Sequence, residues 1–299
     1  MADTLKKRPS KIGIIVNPHK RGAEEAVPEL RDVFEREGME VRFDTNGAQL
    51  DLGNYANTSG EVMEWADFVI SLGGDGTLLG TARAMSTTGF FRPLCGINIG
   101  TLGFLTCATM GELDKVAGAL ANGRYRLSHR GLLEVSAEVE GKGRVEQSWL
   151  ALNELMVGRG ARSRLVKIEA AIDGEFLNNY HADGLLVATP TGSTAYSLSA
   201  GGPLIAPESE VVVLTPICPH ALSVRSLVVG WNSLLRLKPL ECEDDVFLTI
   251  DGYQVTELRR GMAVSVKRSN SVISLVELQD GSFYQTLRKK LRWQGSSVA

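Results

Sequence analysis

The 299 residues predict an α/β domain with a parallel sheet, followed by an all-β domain. Three observations carry that reading. Up to about Leu127, short continuous apolar runs alternate with helix-spaced segments, the pattern of βαβ units. Beyond it, strand-like runs follow one another with only polar or glycine turns between most of them. A chain of 299 residues also suits two domains of roughly 150 each.

The elements follow in order. Ile12–Val16 (IGIIV) is a buried strand ended by Asn17-Pro18. From Ala23 to Glu37, Val27, Leu30, Val33 and Phe34 share one helical face, and Gly38 supplies a left-handed cap. Met39–Phe43 is a strand, and Leu50–Ser59 is polar, turn-rich and expected to be irregular. Asp67–Leu72 (DFVISL) is a third strand, running into a glycine cluster and a helix from Thr77 to about Ser86. Pro93–Asn98 is a strand and Glu112–Ala121 a helix. A parallel sheet of this kind takes its ligands at the carboxyl ends of its strands. The second domain reads as strands at Leu132–Glu140, Val145–Val157, Leu165–Ile172, Leu185–Ala188, Val211–Leu214, Leu234–Lys238, Val246–Ile250, Ala263–Lys267 and Val272–Leu275. The basic, aromatic tail Phe283–Trp293 reads as a solvated face or a strap.

Composition narrows the function. Lys and Arg number 32 and Asp and Glu 35, a net charge of −3. That near-balance gives no electrostatic footprint for nucleic acid or an anionic membrane. Aromatics at 6% argue against a stacking platform for single strands. No apolar run approaches the ~20 residues of a bilayer span, and the polar, basic start lacks a secretory apolar region. Cys95, Cys107, Cys218 and Cys242 form no CxxC pair, too few for a disulfide scaffold and badly spaced for zinc, so free thiols in the cytoplasm are expected. No metal-ligating residue is assigned.

Gly73-Gly74-Asp75-Gly76-Thr77 lies where a strand turns into a helix. Glycines there let an anion approach closely, and the free amides of the helix start point at it. No GK[ST] follows, so this is not a Walker A loop, nor is it GxGxxG. Asp75 is the informative residue. A carboxylate repels phosphate unless it takes a proton from an attacking hydroxyl or helps hold Mg²⁺. The alternative is that Asp75 caps the helix and the glycines only make a tight turn.

GGDG resembles an element shared by NAD kinases, diacylglycerol or sphingosine lipid kinases and 6-phosphofructokinases. In the lipid kinases an Asn-Glu pair follows at once; here it stands far downstream, at Asn153-Glu154. That separation is similar to the NAD kinases. So are Gly96-Ile97-Asn98, the run Gly100 to Leu105 (GTLGFL), and the block from His181 through Asp183-Gly184 and Thr189-Pro190-Thr191-Gly192-Ser193-Thr194-Ala195-Tyr196-Ser197-Leu198-Ser199 to Pro203. Pro216–His220 and Asp251-Gly252-Tyr253-Gln254 complete the set. The matches cover most of the chain, which resembles a bacterial-type NAD kinase.

The resemblance implies an NAD kinase-like two-domain architecture: residues 1–128 as the α/β domain, rejoined by a tail of 276–299, and 129–275 as the NAD-binding domain. It implies phosphoryl transfer from ATP, or another donor, to the 2′-hydroxyl of the adenosine ribose of NAD, giving NADP. Asp75 would be the base. Gly73, Gly74 and Gly76 amides would steady the phosphoryl group, Thr77 would bind nucleotide beside them, and donor-bound Mg²⁺ would neutralise the donor's charge. Asn153 and Glu154 would hold base and ribose, since a buried Asn-Glu pair needs partners. Thr191 and Thr194 to Ser199 would contact the substrate, with Tyr196 able to stack on a base. Asp183 would bind a ribose hydroxyl or serve as a turn residue. Arg164 and His181 lie near where the family places basic residues, and Asp251 and Gln254 belong to its last motif. His19, Lys20 and Arg21 either meet the donor's phosphates or are loop charge. A homo-oligomer, dimer or tetramer, is expected. A lipid kinase and a dinucleotide sensor without turnover stand as alternative functions.

Overall fold

A computed structural model describes residues 8–45, 58–139, 145–160, 165–221, 223–240, 246–279 and 281–293. The chain divides into two compact units, Met1–His129 with Ile273–Ala299, and Arg130–Val272. Both crossings between them fall inside long strands.

The first unit is the α/β part. Its parallel strands are β1 (Lys11–Val16), β2 (Glu40–Phe43), β3 (Phe68–Gly73), β4 (Leu94–Asn98) and the short β5 (Ala108–Thr109). β1 lies between β2 and β3, β3 pairs β4, and β4 pairs β5. β1, β3 and β4 are buried almost throughout, as strands covered on both faces must be. Helix α1 (Ala23–Arg36) buries Val27, Leu30, Val33 and Phe34, the face its spacing predicts. Gly38 closes it at φ 79°. α3 (Asp75–Thr88) and α4 (Leu113–Ala121) follow β3 and β5, with a short 3-10 turn before α4. The topology brings three strand ends to one edge: Asn17 after β1, Gly74 after β3 and Asn98 at the end of β4.

One expectation fails here. Ser59 belongs to helix α2 (Ser59–Trp65), not to an irregular run. Thr58 accepts from the Glu61 amide while the Glu61 carboxylate accepts from the Thr58 amide and hydroxyl. This capping box makes a helix of a polar stretch, and the same bonds lower the Glu61 pKa. Residues 50–57 lie outside the described residues. The tail forms helix α6 (Phe283–Leu291), which the sequence reading did not foresee.

The second unit is β-rich. One sheet runs β13 (Leu227–Gly230), β12 (Val211–Ile217), β11 (Gly184–Ala188), β8 (Glu154–Arg159), β15 (Val246–Ile250), β16 (Tyr253–Leu258), all antiparallel. A second set pairs β10 (Glu175–Ala182) with β9 (Val166–Ile172), β9 with β14 (Leu235–Pro239), and β14 with residues 264–266 of β17 (Met262–Leu278). β6 (Tyr125–Val139) pairs with β7 (Val145–Ala151). The core joins Leu155, Val157, Leu185, Val187 and Leu248 to Ile168, Ala170, Leu235, Leu237 and Val264.

The sequence predicts one strand over Val145–Val157. The structure breaks it at Leu152-Asn153, between β7 and β8. It likewise joins Ala263–Lys267 and Val272–Leu275 into the single β17. Among the described residues no helix is long and apolar enough to cross a membrane.

Candidate active site

In the α/β unit the chemistry gathers at the start of α3. Gly74 is its N-cap, in extended backbone, and no side chain caps that end. The first amides of a helix have no partner within it, so they remain donors for an incoming anion. Asp75 is the first helical residue and does not cap its own helix. Its carboxylate accepts from the Phe104 amide at 2.8 Å and the Leu105 amide at 3.1 Å. A carboxylate offers about four acceptor positions, so two stay open for a proton or a hydroxyl.

The turn that holds Asp75 is itself braced. The Gly103 amide donates to the Thr106 hydroxyl at 2.8 Å, and Thr106 is buried. Glycine at 103 leaves room for the Asp75 carboxylate, which a Cβ there would push aside. Asn98 accepts from the Gly100 amide at 2.9 Å and fixes the other arm of the loop. The Thr77 hydroxyl lies 3.5 Å from the Asn17 side-chain nitrogen, at the long limit of a hydrogen bond. Gly76 is exposed and Gly73 buried.

In the β-rich unit the break at Leu152-Asn153 is clamped by Asp251. Its carboxylate accepts from the amides of Leu152 (2.9 Å), Asn153 (2.7 Å) and Glu154 (3.1 Å). Its own amide donates to the Glu154 carbonyl at 2.9 Å. On the other side the Thr189 hydroxyl donates to the Leu152 carbonyl at 2.6 Å, and the Thr189 amide donates to the Asn153 carbonyl at 2.8 Å. Gly192 packs its Cα against that same carbonyl, where a Cβ would collide. The clamp thus grips residues 152–154 by their backbone alone, and it leaves the Asn153 and Glu154 side chains uncommitted.

That is the decisive feature. Asn153 and Glu154 are only 6% and 7% exposed, yet Asn153 Oδ1 and Glu154 Oε2 have no hydrogen-bond partner. Burial, and then the Asp251 charge beside it, push the Glu154 pKa up to about 8. A neutral Glu154 can donate as well as accept. Glu154 lines a pocket of about 220 Å³ with Met156, Leu186, Tyr196, Thr249 and Gly252. That is below the ~300–1,000 Å³ of sites for whole drug-sized ligands and suits one ring system. Tyr196 presents its ring there, 46% exposed.

The other residues singled out from sequence divide by role. Thr191 is buried in the 3-10 turn Thr191–Thr194, and its carbonyl accepts from the Thr194 hydroxyl at 3.2 Å. Thr194, Ala195 and Leu198 are half-buried and Ser199 is exposed. Ser197, in the short helix α5 (Tyr196–Ser199), is fully buried with its hydroxyl 3.0 Å from that of Thr215, a framework contact. Asp183 pairs with Arg159 at 2.6 Å, a partner missed in the sequence, which raises the arginine pKa. His181 is exposed on β10 and Gln254 exposed on β16. Arg164 lies outside the described residues. Asp251 faces the backbone of the Asn-Glu pair rather than the pocket. The Thr106 brace and the Thr189 clamp were also missed, although GTLGFL and the Thr189 block mark both.

A family model described as ATP-NAD kinase N-terminal domain matches residues 12–125, and one described as ATP-NAD kinase C-terminal domain matches residues 152–278. The chain is 39% identical over 287 residues to the NAD kinase of Moorella thermoacetica, covering 96% of this chain and 90% of that protein. It is 43% identical over 225 residues to the NAD kinase of Clostridium perfringens, covering 75% and 80%. The crystal structure of yeast NADH kinase complexed with NADH aligns with a TM-score of 0.88 at 28% identity, covering 97% of this chain and 89% of that one. An NAD kinase from Archaeoglobus fulgidus in complex with ATP shares the fold, with a TM-score of 0.72 at 23% identity over 95% of this chain and all of that one.

Proposed function

The chain belongs to the NAD kinase family, and from that premise we propose how its own residues carry out the reaction. It is a phosphotransferase that phosphorylates NAD to NADP. The lipid-kinase and sensor alternatives are set aside with that.

Asn153 and Glu154 hold the dinucleotide. Two buried acceptor atoms without partners carry this reading, since leaving them so costs about 1–3 kcal/mol each. Neighbouring ribose hydroxyls are donors of the right kind, and a ring fits against Tyr196. Thr191 and the segment Thr194 to Ser199 shape the pocket wall. Asp183, paired with Arg159, and the exposed His181 and Gln254 are proposed to meet the polar part of the substrate.

Asp75 takes the proton as the adenosine 2′-hydroxyl oxygen attacks the donor's terminal phosphorus. The bond from that phosphorus to the leaving oxygen breaks, and the diphosphate product departs. The Phe104 and Leu105 amides keep the Asp75 carboxylate aimed at the attacking hydroxyl. Amides at Gly73, Gly74, Gly76 and Thr77 meet the charge on the transferring group. ATP is the proposed donor. We place Mg²⁺ on the donor's phosphate oxygens, the ligands it commonly takes in phosphoryl-transfer sites. Bound there, it would neutralise charge on the donor. Action in the cytoplasm as a homo-oligomer is proposed on the family resemblance, with light scattering as the check on assembly.

The test is a coupled assay. Purified protein is incubated with ATP, Mg²⁺ and either NAD or NADH, and NADP(H) is read with an NADP-specific enzyme. NADP formation is expected. No product with either nucleotide, with ATP or polyphosphate, would contradict the assignment.

A further inference from the structure

Two cysteines stand at the two ends of the loop that holds Asp75. Cys95 is on β4 and fully buried; Cys107 precedes β5 and is half-buried. Their sulfurs lie 3.2 Å apart. The Cys107 amide donates to the Gly96 carbonyl at 2.9 Å, so the two backbones run side by side. By the β4–β5 register Gly96 lies level with Cys107 and Cys95 is its diagonal neighbour; strands about 4.7–4.9 Å apart with a rise of about 3.3 Å per residue keep such a pair within the Cα range of roughly 4.4–6.8 Å that a disulfide spans. Everything that aims Asp75 lies between them: Asn98, the Gly103–Leu105 turn and Thr106, which adjoins Cys107.

We propose that Cys95 and Cys107 are a modification site, a dithiol that peroxide converts to a disulfide and through which oxidation disables Asp75. The half-buried Cys107 sulfur attacks the peroxide O–O bond, gains one oxygen as sulfenic acid and releases water. The Cys95 sulfur then attacks the Cys107 sulfur, the S–S bond forms and the second water leaves. Two thiols and one hydrogen peroxide give one disulfide and two waters. The hydrogen bond to Cys107, and then burial, raise the Cys95 thiol pKa, so Cys95 is not the sulfur that meets peroxide first.

Bonding draws the sulfurs from 3.2 Å to about 2.05 Å. The loop must absorb that movement of about 1 Å, and Thr106 is next to the moving residue. The two amides on Asp75 then lose their aim. A misplacement of that size can cost about a hundredfold in rate, while the Asn153-Glu154 clamp is untouched.

The reduced protein is treated with hydrogen peroxide, then digested and mapped by mass spectrometry, with kinetics before and after. A peptide joining Cys95 to Cys107 is expected. With it kcat should fall about tenfold or more while KM for NAD stays within about twofold. Dithiothreitol should restore the rate. Cys107→Ser should keep the reduced-state kcat and lose the peroxide response; Cys95→Ala is the second variant should the first not fold. Absence of the joined peptide, its formation with kcat unchanged, or inactivation of Cys107→Ser at the parent's rate would each overturn the proposal. The kinetic readout rests on Asp75 as the base; the peptide map does not. A reduced enzyme that makes no NADP would therefore sink the functional reading and leave the modification site decided by the map.

Discussion

Glu154 is the residue whose environment says most. Its carboxyl is buried, holds one oxygen without a partner and releases its proton near pH 8 rather than at the usual 4.5. The folded chain therefore binds more protons than the unfolded chain between those values. Stability then falls as pH rises across that window, by up to about 1.4 kcal/mol per pH unit from this one group. Urea unfolding of the ligand-free protein at pH 5, 6, 7 and 8 checks it. The wild type should lose stability relative to Glu154→Gln as pH rises; parallel curves would refute it. Asp251 is the companion prediction. Asp251→Ala leaves three buried amides without acceptors, so a loss of about 3 kcal/mol or more is expected, together with weaker NAD binding, both readable by denaturation and calorimetry. From sequence, Asn153 and Glu154 could be singled out as a pair in need of partners, but Asp251 could not be told from a substrate contact. The carboxylate crosses about a hundred residues of chain to reach the pair, and no local pattern encodes that.

Elements fail or succeed according to whether their signals are local. α1 and β3 were legible because spacing and continuous apolar character repeat over several residues. α2 was missed although Thr58-Ser59-Gly60-Glu61 carries a capping-box spacing, since a polar surround hid it. β10 and β16 were missed although Asp173-Gly174 and Asp251-Gly252 are Asp-Gly pairs, the strongest short hairpin signal. In the structure all four residues have positive φ and join β9 to β10 and β15 to β16. The split between β7 and β8 had no sequence signal, because Leu152 and Asn153 interrupt an alternation only through the contacts of Asp251 and Thr189. The loop after β4 yields a prediction at this scale. Gly103→Ala should fold, with α/β content unchanged by circular dichroism, yet lose kcat about tenfold or more because its methyl displaces the Asp75 carboxylate. Unchanged kcat would show that the turn does not aim Asp75.

For the whole molecule, near-balanced charge already argued against a nucleic-acid protein, and the two kinds of strand pattern marked an α/β part and a β-rich part. Composition could not choose the substrate. That choice came from ordered motifs: GGDGT at the head of α3, Asn153-Glu154 in a strand break and the Thr191–Ser199 turn beside it. Each is short, and each makes sense only with contacts from distant chain. The central claim is that dinucleotide binding and proton removal belong to different residues, the first to Asn153 and Glu154, the second to Asp75. The most direct test is Asp75→Asn, measured for kcat under saturating NAD and ATP and for NAD affinity by calorimetry. The account predicts a fall in kcat of about a hundredfold or more, the scale of a lost general base, with the NAD dissociation constant little changed. Full turnover in that variant, or an affinity lost in step with the rate, would contradict it.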